Sequence, residues 1–290
     1  MEKQLVLTFD GSIIKEKTIS IRALAYTLPH FQRAIDKTVT FSQNGQLSKF
    51  STIRKKDYGL ADLYLGEFED GSLIIPLIGD LLDGAGEKLG NFLKSPYERA
   101  CQSTEIPKTS LNQQIQEKKS RLSSGAINEI TYHKVSNQSD KLEHNFAQAS
   151  ILRDISTMTS PLSTYNDSTI SIETVNAKNS QNFVFNEHIA QNFRRIVKSK
   201  RILDPIIYTG FLKGLVEKTA SSGFGFQGRF INAESRKEMT LHIDSLEDAT
   251  LLNGHNLGSE PIRIFASPIA VYESFDHLRG DIVFLSLIHI

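Results

Sequence analysis

Residues 60–82 read LADLYLGEFEDGSLIIPLIGDLL, and this stretch decides what kind of fold the chain can have. Asp70-Gly71 stands between two apolar runs, the composition of a tight type I′ turn in which both central residues need φ > 0. The spacing predicts a β-hairpin. After the turn, Leu73, Ile75 and Leu77 alternate with Ile74, Pro76 and Ile78, so both faces are apolar and the strand is expected to be covered on both sides. Pro76 lacks an N–H and is expected near a strand end or a sheet edge. The stretch holds no nucleophile, metal-ligand cluster or phosphate loop, so its meaning is architectural.

Toward the N-terminus, Leu5, Leu7 and Phe9 alternate with Val6 and Thr8, a first strand turned by Asp10-Gly11. Residues 15–21 read as a return strand. Ser20 is a candidate cap for a helix with Leu24, Leu28, Phe31, Ile35 and Val39 three and four apart, ended by Asn44-Gly45. Pro29 lies within that pattern, so the helix begins there or is kinked. Past the hairpin, DGAGEKLG (83–90) invites comparison with a phosphate loop. Its glycines at 84, 86 and 90 miss GxGxxG, whose third position holds Leu89, and no Lys-Ser/Thr pair is present. A glycine-punctuated helix start or a mobile loop is expected instead, with the run broken at Ser95-Pro96. One amphipathic helix on an antiparallel sheet is the simplest packing.

Further along, Leu111, Ile115 and Leu122 form the narrow apolar face of an otherwise polar helix, 109–123, expected to meet solvent or a partner. Residues 156–181 are rich in Ser and Thr. Ile170 and Ile172 alternate there with polar residues, which predicts a polar edge strand. The strongest later helix is 187–201, EHIAQNFRRIVKSKR, with Asn186 as its cap and Ile189, Phe193, Ile196 and Val197 as its buried stripe. Arg194, Arg195, Lys198, Lys200 and Arg201 crowd its C-terminal end. The helix dipole accounts for some of them, and contact with a phosphate backbone is the functional alternative. Asp204-Pro205 marks the expected boundary between a domain over 1–204 and a smaller one over 205–290. Beyond it come short strands at 206–216, 224–231, 238–243, 262–272 and 281–290, with one helix capped by Ser245. That pattern predicts a small barrel of OB- or SH3-like size. The fold class expected is α+β: an antiparallel sheet with packed helices, then a small C-terminal β-barrel.

Lys+Arg and Asp+Glu both total 33 among 290 residues, so there is no global basic excess of the kind polyanion-binding proteins often show. Residues 207–290 carry seven Lys+Arg against ten Asp+Glu. Cys101 is the sole cysteine, which excludes an internal disulfide and a cysteine-based zinc site. The eight histidines are scattered, with no HExxH, and no GxSxG elbow occurs. Neither a cofactor nor a metal site is expected, and no catalytic residue can be assigned. The opening residues lack a signal-peptide hydrophobic region, and no run of roughly 18 apolar residues offers a membrane span. A cytoplasmic location is the expectation.

Asp10-Gly11 at the end of the first strand, the early helix, Asp70-Gly71-Ser72 in the later strand and the separate C-terminal β module together resemble a family of uncharacterised bacterial proteins. The resemblance covers the order of elements across most of the chain. It implies an association with mobile-element and phage-defence neighbourhoods, and it carries over no catalytic residue.

Three functions follow as expectations. The first is a non-enzymatic interaction or assembly protein, a homo-oligomer or the binder of a protein partner, in a bacterial anti-phage defence setting. It draws on the polar helix 109–123, the Ser/Thr-rich edge and the apolar C-terminal strand. The alternative is nucleic-acid binding through Arg194, Arg195, Lys198, Lys200 and Arg201 on the basic helix 187–201, with Phe224 and Phe226 on one face of a barrel strand stacking on bases. The third is an enzyme whose groups converge from distant positions.

Overall fold

The computed structural model describes residues 5–16, 18–65, 73–78, 82–102, 110–126, 130–175, 180–218 and 224–288. In chain order the elements begin with β1 (Leu5–Asp10), β2 (Ile14–Lys15), β3 (Thr18–Ile19), α1 (Ile21–Asn44), α2 (Tyr58–Ala61), β4 (Tyr64–Leu65), β5 (Leu73–Ile78) and α3 (Leu82–Cys101). There follow α4 (Leu111–Ser123), β6 (Ile130–Thr131), α5 (Tyr132–Ser136), α6 (Ser139–Met158), β7 (Thr169–Val175), β8 (Ser180–Phe185) and α7 (Glu187–Val197). The last are β9 (Lys200–Ile202), β10 (Ile206–Glu217), β11 (Phe226–Asn232), β12 (Glu238–Ile243), α8 (Leu246–Asn253), β13 (Ile262–Val271) and β14 (Asp281–Ile288). The fold is α+β, with antiparallel sheet, packed helices and a closed five-stranded barrel in the C-terminal region.

Two compact units divide the chain. Unit 1 takes residues 1–106 and 147–198, and unit 2 takes 107–146 and 199–290. The single boundary expected at Asp204-Pro205 is thus corrected: the chain enters unit 2 twice, and residues 107–146 are counted with the barrel.

Unit 1 is built on an antiparallel sheet in the order β4-β5-β1-β7-β8. Its register sets apolar residues in rows. Leu7 pairs with Ile172 and Ile172 with Phe183, while Phe9 pairs with Ile170 and Ile170 with Phe185. Paired residues share a face, so alternation in three strands becomes one apolar surface, and all of these side chains are buried. The helix α3 packs on β7 and β8, and α7 and α1 pack on α3.

The hairpin strands are present as β4 and β5, pairing Tyr64 with Ile78 and Leu65 with Leu77; its Asp70-Gly71 turn lies outside the described residues. Pro76 lies two residues before the end of β5 and pairs with Val6 of β1. The described β4 pairing covers Leu77 and Ile78, the two residues that follow it. The expected return strand is only β3, which closes a two-residue ladder with β2. Strand β7 is not the edge: it pairs with both β1 and β8, and β8 is outermost. Helix α3 runs through Pro96, and α1 runs through Pro29 from Ile21 to the left-handed cap at Gly45.

In unit 2, β10, β11, β12, β14 and β13 form a closed circuit, because β10 pairs with β11 on one side and β13 on the other. All neighbours are antiparallel except β12 and β14, and α8 connects β12 to β13. Numbered along the barrel, the order is 1-2-3-5-4-1 with a helix between the third and fourth strands, the topology of an OB barrel. The core holds Tyr208, Leu212, Phe230, Leu241, Ile243, Ile264, Ile282 and Phe284 around Tyr132, whose ring lies 5.6 Å from that of Tyr208. The α4 helix lies outside the barrel and buries Ile115 with Ile202, Phe224, Val283 and Leu285. Its start is fixed by a capping box between Ser110 and Gln113.

Closure depends on two glycines of β10. Gly214, at φ +90°, sits in the bulge between Leu212 and Leu215, where the strand bends. Gly210 pairs with Asn232 of β11 and Ile262 of β13, so both neighbours grip it. A Cβ there would lie 2.2 Å from the Ile231 carbonyl oxygen and 2.7 Å from the Phe230 ring. Gly210→Val is therefore expected to cost about 2–3 kcal/mol or more, read as a lower denaturation midpoint.

A second prediction concerns pH. His277 is buried after β13, with its Nε2 4.0 Å from Glu143 Oε1. Burial lowers its pKa, against a smaller opposing pull from Asp276. The folded state therefore holds this proton less well than the unfolded one. The His277 contribution is complete above the unfolded value near 6.5 and is lost as pH falls below it. Glu143, raised by burial, runs the opposite way from its ordinary 4.5 upward. The loss of melting temperature between pH about 7.5 and about 5.5 should be smaller in His277→Asn than in the wild-type protein.

Candidate nucleic-acid interface

The first turns of α1 supply the key pattern. Arg22, Tyr26, His30, Arg33 and Lys37 follow one another at intervals of four, four, three and four residues. At 100° per residue they fall within an arc of about 80° and run for about 22 Å along the helix. The opposite side is buried through Ala23, Thr27, Phe31, Ala34, Ile35 and Thr38. Burial of that side turns the cationic stripe outward, and Arg22, Tyr26 and Arg33 are exposed.

The part of α6 that belongs to unit 1, residues 147–158, and α7 stand beside the stripe. Asp154 on α6 is buried, and its carboxylate receives Lys37 Nζ at 2.7 Å, His30 Nδ1 at 3.6 Å and Arg33 Nε at 3.8 Å. Thr27 of α1 donates to the Met158 carbonyl at 3.1 Å, which pins α1 to the end of α6. Next to Asp154 in sequence, Arg153 is exposed and acts on Lys198, as does Arg194 of α7. Lys198 in turn acts on His30. Arg33, Lys37 and His30 thus meet at the Asp154 carboxylate, Arg153, Arg194 and Lys198 lie near enough for their charges to act on one another and on His30, and Arg22 stands earlier on the same face of α1.

The electrostatics record the crowding. Burial lowers the Lys198 pKa, and the Arg194 and Arg153 guanidinium groups push it further in the same direction. His30 is lowered by burial first and Arg33 second, with Asp154 opposing and Lys198 adding to the decrease. Cations gathered in this way repel one another, and an anion laid across them would relieve the repulsion.

The residues expected from sequence separate. Arg194 and Lys198 belong to this group, and Arg195 is exposed on α7. The basic helix does not extend to 201: it ends at Val197 with Lys198 as its cap, and Lys200 and Arg201 stand on β9 in unit 2, paired with Val271 and Ala270. Phe224 and Phe226 do not form one stacking face. Phe224 precedes β11, is buried in the cluster under α4 and stacks on His242 with ring centroids 4.4 Å apart. Phe226 is half-buried against the barrel core. The α1 stripe was the missed signal, since a search for apolar spacing passes over the complementary polar spacing on the same helix.

Unit 2 offers a cavity of about 560 Å³ lined by Lys119, Leu122, Asp248, Phe265 and Leu285, with Lys119 and Asp248 already paired at 2.6 Å. Among the described residues, no group of three or more His, Cys, Asp or Glu is placed to hold a metal ion, and no helix is long and apolar enough to cross a membrane. Cys101 ends α3 and is exposed.

No family model, curated protein or solved structure matches the chain.

Asp154→Asn keeps the shape and removes the charge that Lys37, Arg33 and His30 surround. It is expected to lower stability by about 1–3 kcal/mol, because buried pairs are costly to break from one side. Urea unfolding should show a lower midpoint with an unchanged m-value.

Proposed function

We propose that this protein is a non-enzymatic binder of a nucleic-acid strand, whose phosphates lie across the basic face of α1, α6 and α7. The observation that carries the reading is the stripe Arg22–Lys37 on α1, continued by Arg153, Arg194 and Lys198 from two other helices. Cations from three helices at one surface suit a chain of phosphates better than a single small anion, and an exposed tyrosine among them suits bases. The OB topology of unit 2 is common among strand-binding modules, but that is fold analogy, and the basic face bears the weight.

Assembly through protein contacts is the second reading. The features that suggested it from sequence are satisfied within the units. The apolar side of α4 is buried in unit 2, and β14 lies between β12 and β13. On the outermost strand β8, the Tyr97 hydroxyl donates to the Val184 carbonyl at 2.9 Å and accepts from its N–H at 3.1 Å, occupying edge groups that another strand would need.

Fluorescence anisotropy with a labelled single-stranded oligonucleotide tests the proposal. Arg153→Ala, Arg194→Ala and Lys198→Ala should each weaken binding about 2- to 5-fold at low salt. Each lost phosphate contact should reduce the log–log salt slope by about 0.7. Replacing Lys200 and Arg201 together should leave binding unchanged. Absence of binding at low salt and micromolar protein would overturn the reading.

A further inference from the structure

At the N-terminal end of the α1 stripe lies a pocket of about 390 Å³. Arg22, Ala23 and Tyr26 line it from α1, and Ser160, Pro161, Thr164 and Tyr165 line it from the turn after α6. Its volume falls in the lower part of the range of small-molecule sites, about 300–1,000 Å³. Its chemistry is mixed in a particular way: two phenol rings, two aliphatic hydroxyls, a proline ring and one guanidinium.

The walls are held in place. The Thr164 and Tyr165 N–H groups both donate to the Pro161 carbonyl, at 2.9 and 3.2 Å, and the Ser168 N–H donates to the Tyr165 carbonyl at 3.2 Å. Ser168 Oγ in turn accepts from the Ile13 N–H at 2.7 Å. On the other side, the Thr27–Met158 bond fixes α1 one residue beyond Tyr26. Tyr26 itself is 53% exposed, so its ring is half open to a ligand.

We infer that this pocket receives one base of the bound strand, stacked on Tyr26 and Tyr165, while Arg22 meets the adjoining phosphate. The inference rests on the strand-binding reading above and adds to it a site for the base. Charge and continuity select this occupant. Arg22 and Tyr26 begin the same helical stripe whose later members are His30, Arg33 and Lys37, so a strand tracking the cations reaches the pocket along one helix face. An aromatic face accepts any base, and hydroxyls at the wall can donate to or accept from a base edge. A partner with only apolar side chains would leave Arg22 and the hydroxyls without use.

The experiment compares two labelled single strands of equal length, one with bases throughout and one abasic, by anisotropy at low salt. Tyr26→Ala should weaken binding of the base-bearing strand about 5- to 100-fold, while Tyr26→Phe stays within about 2-fold of the wild-type protein. The abasic strand should bind the wild-type protein and Tyr26→Ala alike. Tyr165→Ala should reproduce the Tyr26→Ala loss. Unchanged melting temperature in Tyr26→Ala, expected for an exposed ring, separates a lost contact from a lost fold. If Tyr26→Ala binds the base-bearing strand as tightly as the wild-type protein while Arg153→Ala, Arg194→Ala and Lys198→Ala weaken it, the base pocket is overturned and the strand-binding reading stands. Equal loss on both strands would also overturn it. If neither strand binds, both readings fall.

Discussion

The Asp154 carboxylate is the charge on which the arrangement of unit 1's surface depends. It is buried on α6, where a lone carboxylate would be expensive, and Lys37, His30 and Arg33 of α1 converge on it. That convergence ties α1 to α6 and leaves the Arg33 guanidinium at the edge of solvent. One buried anion thereby organises several cations without neutralising all of them. Arg153 and Lys198, beside it, crowd the same surface with no inward carboxylate of their own among the contacts described. Structural need and anion affinity arise here from the same geometry.

A different constraint governs unit 2. A five-stranded sheet closes only if one strand can serve two neighbours, and β10 does so by pairing first with β13 and then with β11. Twelve residues long, it needs a bulge to turn between them. The close approach at Gly210 and the positive φ at Gly214 are the local solutions. Closure leaves no free edge in the circuit, and α4 covers part of the outer wall with Ile115.

In unit 2 the five-strand circuit closes on itself, and in unit 1 Tyr97 occupies the edge groups of Val184 on β8. This changes how the polar helix and the apolar last strand are understood. As isolated sequence features they ask for a partner, but in the fold they already have one. The basic face is different: Lys37 and His30 reach inward to Asp154, while Arg22, Arg33, Arg153 and Lys198 are exposed.

Local pattern was enough for the kind of element and much of its extent. Asn186 and Ser245 cap helices as their side chains dictate, accepting from the N–H groups of Ile189 and Asp248. Alternation at Leu5–Phe9 and Ile170–Ile172 placed the right residues inward, and five short strands with one helix announced a small barrel. These depend on neighbours within a few residues, which a linear pattern records. What lay beyond it was pairing at a distance. That β7 has a strand on each side and that 107–146 belongs with the barrel are matters of which segment meets which. The candidate site divides in the same way. Arg194 and Lys198 were legible as a basic run, but their grouping with Arg153 and His30 required three helices to pack. Charge composition is a sum over the chain, and a net charge of zero conceals a basic surface whenever folding turns acids and bases to different places. Only the tertiary structure decides that, because separation in space, not in sequence, sets the strength of a Coulomb interaction.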